Sequence, residues 1–442
     1  MPISHEKALE IAHRLSRGGH VSAVSDRLAP TSAESRPIPP SVPAARDHTA
    51  EGASERIRFL EERVGPLPHL SGRADPPDPT SLEGNIENFI GMVSIPTGLI
   101  GPLRINGLHA HGDFYVPLTT TEGALVASYA RGARLLTLSG GAACATTIEQ
   151  VQRAPGFAFA TMAGAIRFAA WAVGEFDRLR EVAAGRTRHG KLLNLRVQIQ
   201  ANHVYLIFDF HTGDAAGQNM VTFCTAAICE DLIARTPITP EYWVLESNMS
   251  GDKKGTALSF FETRGRHATA EVVVPRKLVE SSLRATPDRI ADYWRMSFVG
   301  GVQTGSIGVS GHIANAVTAI FLACGQDAAC VSEASVGLLR MEVTGAGDLY
   351  ATVTLPNLIL GTVGGGTRLP SATECLRILD CLGDGGAAKL AEITAAVALA
   401  GEISIAGALC AGEFARAHAQ LGRRPAQEDR SAEALDARPS ER

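Results

Sequence analysis

Between residues 156 and 247 the spacing of apolar positions changes several times. Residues 157–161 form a short apolar, strand-like run, and apolar residues then recur at helical spacing over 162–183. Leu195, Val197 and Ile199 alternate with polar neighbours. After a turn at Ala201-Asn202-His203, the alternation resumes at Val204, Leu206, Phe208 and Phe210. A period of two marks a strand with one buried face, and a period of 3.6 marks a helix. Helical spacing returns over 215–234, and residues 242–245 read as a last strand. The predicted order is β-α-β-β-α-β, the split, ferredoxin-like arrangement.

The flanking stretches, 56–154 and 246–420, predict a larger unit of mixed elements. They hold a hairpin pairing 256–262 with 268–274, a helix over 312–324, a second hairpin pairing 338–343 with 349–355, and an alanine-rich helix over 387–418. The fold class is therefore α+β: a large mixed helical and β domain carrying an inserted ferredoxin-like domain at 155–245. Residues 1–55 are rich in Pro, Ser, Ala and Arg and predict a short helix near 5–16 in a mobile leader, with a helix at 55–64 leading into the body. Residues 421–442 are charged, lack an apolar period and read as a flexible tail.

Composition narrows the function classes. The chain has 442 residues, 45% hydrophobic and 20% charged, which suits a soluble globular protein with a large core. A net charge of -5 argues against non-specific nucleic-acid binding. No run of 18 apolar residues predicts a membrane span, and the first residues lack the apolar stretch of a signal peptide, so a cytoplasmic location is expected. The cysteines show no CxxC pair and sit in apolar surroundings, which predicts free thiols and no metal site.

Several residues carry candidate chemistry. Glu122 follows Thr120 and Thr121 at the expected first turn of an apolar helix. It reads either as a capping carboxylate or as a buried acid whose raised pKa lets it donate a proton near neutrality. Asp252-Lys253-Lys254 is either a solvated turn or a cation that holds a developing oxyanion. Asp327 falls just past the 312–324 helix, where an acid opposes the helix dipole and so needs another reason to be there. His418, near the end of the last predicted helix, is either a surface histidine or a proton donor. Asp214-Ala215-Ala216-Gly217-Gln218-Asn219-Met220 opens a helix whose free N–H groups can bind an anion. The glycine run that includes Gly364, Gly365 and Gly366 is a flexible turn or a close backbone approach to a ligand. No GxGxxG follows a strand, so the site is not of the Rossmann type. Arg178, Arg180, Arg186 and Arg188 form a solvated face or a pocket for a 2′-phosphate.

Taken in order, these stretches resemble a known family. The blocks are Glu87-Asn88-Phe89-Ile90-Gly91, Pro117 to Ser128, Gly213 to Met220, Asp252-Lys253-Lys254, Gly325-Gln326-Asp327-Ala328-Ala329, Gly361 to Thr367, and Ala400-Gly401-Glu402 through Gly412 to His418. From about residue 83 to 424 the chain resembles the 3-hydroxy-3-methylglutaryl-coenzyme A (HMG-CoA) reductases, and its Gly-Gln-Asp-Ala-Ala and Asp-Lys-Lys forms resemble the class I branch. The resemblance implies NADPH-dependent reduction of HMG-CoA to mevalonate and CoA by two hydride transfers, with NADH less favoured and no metal. It implies catalytic roles for Glu122, Lys253, Asp327 and His418. Cofactor contacts fall on Asp214 to Met220 and Gly364 to Gly366. Contacts to the acyl-CoA fall on Ser128, Arg131, Arg153, Asn248, Asp252, Lys254, Arg295, His312 and Asn315. It further implies a homodimer or homotetramer with sites at the subunit interface.

Four positions depart from the family pattern. Glu246 replaces a serine that contacts the acyl carboxylate, although Ser247 stands beside it, and Arg295 replaces a lysine. These two keep open a reductase of another acyl-CoA thioester; a non-catalytic CoA- or nucleotide-binding relative is a second alternative, and all four catalytic positions being filled counts against it. Ala417 and Arg424 replace the serines around His418, so phosphorylation control there is not expected.

Overall fold

A computed structural model of the chain describes residues 5–16 and 22–416. Before the first strand come helices α1 (His5–Ser16), α2 (Ser22–Leu28) and α3 (Ala50–Val64). The body opens with the strands β1 (Thr97–Gly107) and β2 (His111–Thr119), helix α4 (Leu125–Leu138) and strand β3 (Ala142–Arg153). The next segment runs β4 (Gly156–Ala158), α5 (Met162–Gly174), α6 (Phe176–Ala184), β5 (Lys191–Gln200), β6 (His203–His211), α7 (Gln218–Arg235) and β7 (Tyr242–Val244). The body resumes with β8 (Gly265–Val274), α8 (Arg276–Leu283), α9 (Pro287–Gln303), α10 (Ile313–Ala323), α11 (Val331–Ala334), β9 (Leu338–Val343), β10 (Leu349–Leu358), α12 (Pro370–Ile378) and α13 (Gly386–Cys410).

The fold is a mixed α and antiparallel β arrangement, as the patterning predicts. The second expected hairpin is β9–β10, paired from Leu349↔Val343 to Thr354↔Leu338. The first does not form. Residues 257–260 make a 3-10 turn, and β8 pairs with β3 and β10 instead. Thr-Ala-Leu-Ser-Phe-Phe is apolar enough for either state, and Asn357 decides it. Its side chain donates to Ser259 Oγ at 2.8 Å and accepts the Arg264 N–H at 2.9 Å, which holds the turn against the sheet. The expected 162–183 helix breaks at Glu175 into α5 and α6. The last helix ends at Cys410, followed by Gly412 at φ 68. His418 and the 421–442 tail lie outside the described residues.

From residue 156 to 244 the strands lie in the order β5-β6-β4-β7, all antiparallel. This sheet is continuous with that of the body. β3 and β4 lie along the same edge of β6, and between them the Leu206 N–H donates to Pro155 O at 3.1 Å. Pro155 lacks an N–H, so the ladder is interrupted there. Residues 30–40, patterned as linker, lie against the body. The buried Arg104 guanidinium donates to Arg36 O at 2.9 Å and Pro37 O at 3.0 Å, and the Tyr115 hydroxyl donates to Pro40 O at 2.5 Å.

α13 is long and apolar enough to cross a membrane, although Lys389, Glu392 and Glu402 break its apolar run. Here it is the core helix, buried along most of its length against α4, β8, β10 and α10. Two carboxylates interrupt its apolar surface. Glu392 accepts N–H bonds from His109 at 2.8 Å, Ala110 at 2.7 Å and Thr146 at 3.0 Å, tying the β1–β2 turn and β3 to the helix. Glu402 accepts from Gly311 at 2.5 Å and His312 at 2.6 Å, fixing the start of α10.

Burial pushes the Glu392 carboxyl up to about 7, against the pull of the three N–H groups. A raised folded-state pKa gives stability that is complete below the ordinary value of 4.5 and is lost as pH rises through about 7. Glu392→Gln, which keeps one acceptor oxygen, is therefore expected to flatten the fall in Tm between pH 4.5 and 7. Thermal melts across that range check it, and an unchanged slope contradicts it.

Candidate active site

The catalytic candidate Lys253 sits in the loop between β7 and the 257–260 turn, and its φ of 57 is left-handed. Its Nζ stands 2.9 Å from Asp327 Oδ2, with both side chains partly exposed. Asp327 is not the dipole-opposed acid expected from its position after α10. Gly325 at φ 64 turns the chain, and Asp327 starts a new 3-10 turn whose Ala329 N–H it accepts at 3.1 Å. The Asp327 hydrogen bond is the main cause raising the Lys253 pKa above its ordinary value. Burial pushes the Asp327 carboxyl up, but the hydrogen bonds from Lys253, Gln218 and the Ala329 N–H outweigh it and hold the group below its ordinary value. The pair is therefore ionic across the whole neutral range.

Gln218, at the first position of α7, donates to Asp327 Oδ2 at 3.2 Å and to Cys330 Sγ at 3.4 Å. α7 begins at a left-handed Gly217 that supplies no side-chain cap, so among the described residues its first-turn N–H groups are left without a capping side chain beside the Lys253–Asp327 pair. The glycine blocks surround this start. Ala215 bridges to Val363, the Thr362 N–H donates to Asp214 O at 2.8 Å, and Gln326 exchanges hydrogen bonds with both backbone groups of Gly361. A Cβ at Gly361 would stand 2.3 Å from Ala216 N, and one at Gly325 would stand 2.2 Å from Gly366 O, so only glycine permits this packing. Gly364 and Gly365 are exposed at the rim, and Asn219 is exposed on α7. Two members of the block face elsewhere. The Asp214 carboxylate accepts from the N–H groups of Gly385 and Ala387 at the start of α13, and the Met220 thioether packs at Gly190.

A chain of alternating charges underlies the lysine loop. Arg153 donates to Asp252 at 3.0 Å and Glu246 at 3.2 Å, and Arg264 pairs with Asp252 at 2.9 Å and Glu333 at 2.6 Å. Glu246, which stands where the resemblance puts a serine, pairs with Arg153 and accepts the Asn248 N–H at 2.8 Å and the Ser250 hydroxyl at 3.0 Å. The Ser247 hydroxyl is turned away to Ala154 O at 2.7 Å. Lys254 donates to Asp252 O at 2.8 Å and is exposed, as is Asn248. Arg264 and Glu333 escaped the sequence reading. The available signal was a lone acid in the apolar run Cys330-Val331-Ser332-Glu333-Ala334.

The remaining candidates form a second group. Ser128 Oγ lies 2.9 Å from Ser404 Oγ, and Arg131 donates to Ser404 O at 2.7 Å, which ties α4 to α13. The Tyr129 and His312 rings stand 5.0 Å apart. Asn315 Nδ2 is 3.4 Å from His312 Nδ1, while the buried His312 Nε2 has no hydrogen-bond partner among the described residues. Glu122 stands in the turn before α4, not in its first turn, because the helix starts only after a left-handed Ala124. Its N–H donates to Thr120 Oγ1 at 3.0 Å and its side chain is exposed, so the expected burial is absent in the single chain. Its charge helps to push the buried Tyr129 phenol up, after burial itself and Glu402. Arg295, exposed on α9, pairs with Asp292 one turn away. Among the described residues no hydrogen bond or ion pair links the Glu122 group to the Lys253 group.

A lysine held cationic against a carboxylate, beside an anion-ready helix start, is the equipment of an enzyme that stabilises a reacting oxyanion. The hydroxymethylglutaryl-coenzyme A reductase family profile matches residues 52–423. A Pyrococcus horikoshii protein named 3-hydroxy-3-methylglutaryl-coenzyme A reductase is 46% identical over 377 residues, covering 83% of this chain and 91% of that protein. A relative of the same name from Methanocaldococcus jannaschii is 41% identical over 374 residues, covering 83% and 92%. The class II reductase from Streptococcus pneumoniae, solved bound to NADPH in open conformations, shares the fold with a TM-score of 0.65 at 19% identity. That match covers 80% of this chain and 96% of that one. The chain belongs to the hydroxymethylglutaryl-coenzyme A reductase family.

Proposed function

We propose that the protein reduces 3-hydroxy-3-methylglutaryl-CoA to mevalonate and CoA with two NADPH and two protons. The observation that carries this is the Lys253–Asp327 ion pair at the uncapped start of α7. Bound NADPH supplies the hydride at each reduction. The first-turn N–H groups of α7 suit its pyrophosphate, and Gly364 to Gly366 let the backbone come close to it. Arg186 and Arg188 are the exposed arginines left for a 2′-phosphate, since Arg178 and Arg180 already face acids.

In the first reduction Lys253 holds the oxyanion that forms on the thioester carbonyl, and Asp327 keeps the lysine charged. The carbon–sulfur bond then breaks, and His418 gives a proton to the departing thiolate. In the second reduction Lys253 holds the aldehyde oxygen, and Glu122 delivers the proton that completes the alcohol. Lys254 offers positive charge to the acyl carboxylate, with Arg295 at a second position, and Arg153 lies behind them, already paired with Asp252 and Glu246. Ser128, Arg131, His312 and Asn315 serve the CoA side.

Among the described residues no hydrogen bond or ion pair joins Glu122 to Lys253 within one chain, which supports a homo-oligomer in which the Glu122 group of one subunit meets the Lys253 group of another. Apolar exposure supports the same arrangement. Ile86, Met92, Val93 and the wholly exposed Ile90 flank the Glu87-Asn88 block, and Phe298, Val299 and Val302 are exposed on α9. We read residues 155–245 as the inserted cofactor domain, supported by the strand order β5-β6-β4-β7. Eight free cysteines support a reducing, cytoplasmic setting.

Substrate-dependent NADPH oxidation over a panel of acyl-CoA thioesters tests the assignment. Preference for the hydroxymethylglutaryl thioester is expected, and preference for another acyl group overturns it. His418→Gln is expected to spare mevaldehyde reduction and to cripple the thioester reaction, because only the thioester step releases a thiolate. Equal losses in both half-reactions would assign His418 to the fold or to cofactor binding.

A further inference from the structure

One short segment grips Lys253 at three points. Asp327 Oδ2 meets its Nζ at 2.9 Å, Ser332 Oγ donates to its backbone carbonyl at 2.7 Å, and Glu333 Oε1 accepts its backbone N–H at 3.1 Å. Ser332 and Glu333 are neighbours on α11, which continues the 3-10 turn started by Asp327. The ammonium and both ends of the residue's backbone are thus referred to the same rigid piece of chain.

The grip matters because Lys253 occupies a conformation that a residue with a Cβ rarely adopts unaided. A four-carbon stem reaches its target only if its root is fixed. Glu333 is fully buried, and its other partner is the buried Arg264, which turns to Asp252 immediately before the lysine. The carboxylate therefore restrains residues 252 and 253 together. Ser332 is exposed, so its hydroxyl contributes a bond to Lys253 without filling the core.

We propose that Ser332 and Glu333 are positioning residues for the reduction, acting through the Lys253 backbone to set its ammonium at the reacting oxygen. This rests on Lys253 being the cation that holds the oxyanion. The two claims separate experimentally in the full-length protein, using kcat for the thioester and for mevaldehyde, KM for NADPH, and Tm.

S332A is expected to lose about tenfold in kcat for both substrates, because both reductions use Lys253 and small displacements of a catalytic group are costly. KM for NADPH and Tm stay near wild type, and S332T, which restores the donor, recovers most of the rate. E333Q keeps an oxygen for the Lys253 N–H and is expected to lower Tm more than kcat, whereas E333A loses at least about tenfold in kcat. Wild-type kcat in S332A or in folded E333A, alongside an inactive K253A, overturns the positioning role and leaves the lysine assignment intact. A fall in S332A that tracks Tm and is not recovered by S332T makes the role merely structural and overturns it equally. Activity retained in K253A overturns the lysine assignment itself.

Discussion

Lys253→Met is expected to lower kcat at least about a hundredfold and to leave NADPH affinity within a factor of about two. Loss of one contact to a developing oxyanion typically costs about 3–4 kcal/mol, which sets the scale of the rate effect. The cofactor term stays small because the Lys253 ammonium is engaged by Asp327 and not by the first-turn N–H groups of α7. Methionine keeps much of the stem and removes only the cation, so the loop and its hydrogen bonds to Ser332 and Glu333 survive. Steady-state kcat and a direct NADPH binding titration check the two halves separately. Retention of more than a tenth of wild-type turnover, a loss under about 1.4 kcal/mol, contradicts the oxyanion role.

Asp327→Asn is expected to cost about a hundredfold in kcat and to move the alkaline limb of the pH–rate profile to lower pH. The Asp327 hydrogen bond and charge hold the Lys253 pKa above its ordinary value of 10.5, so in the wild type the lysine stays charged to higher pH. With a neutral amide that support is gone, and burial, which already opposes the charged form, pulls the lysine pKa down. Stability changes little, because both side chains are more than a third exposed and such a pair is well screened. The pH–rate profile is the check. A lower rate with an unmoved alkaline limb would mean that Asp327 supports geometry alone.

Legibility in the sequence followed physical locality. β5, β6, α7, α10 and the β9–β10 hairpin are set by their own periodicity and agree with the pattern within a few residues. The 257–260 turn is set by a bond from Asn357, about a hundred residues on, and no local pattern records it. Lys253 and Asp327 were legible because their neighbours resemble a family, not because Asp-Lys-Lys is distinctive. The state of Glu122 was not legible. Its neighbours allowed either a capping carboxylate or a buried acid, and the left-handed Ala124 delays the helix and leaves the carboxylate in the open. The partner of Glu246 was not legible either. A charge considered singly repels a carboxylate, whereas the fold places it against Arg153. Arg264, Glu333 and Glu402 act through long-range contacts across 69 to 91 positions, and sequence spacing carries no trace of such contacts.

The Lys253–Asp327 pair carries a four-electron reduction of the hydroxymethylglutaryl thioester in the proposed reaction. Its most direct test is the stoichiometry of the purified full-length protein: NADPH consumed against CoA thiol released with the hydroxymethylglutaryl thioester, run beside Lys253→Met. The expected result is two NADPH oxidised per thiol, with mevalonate as product and neither event in the variant. One NADPH per thiol with aldehyde accumulating, thiol release without NADPH oxidation, or equal turnover in the variant would each contradict it.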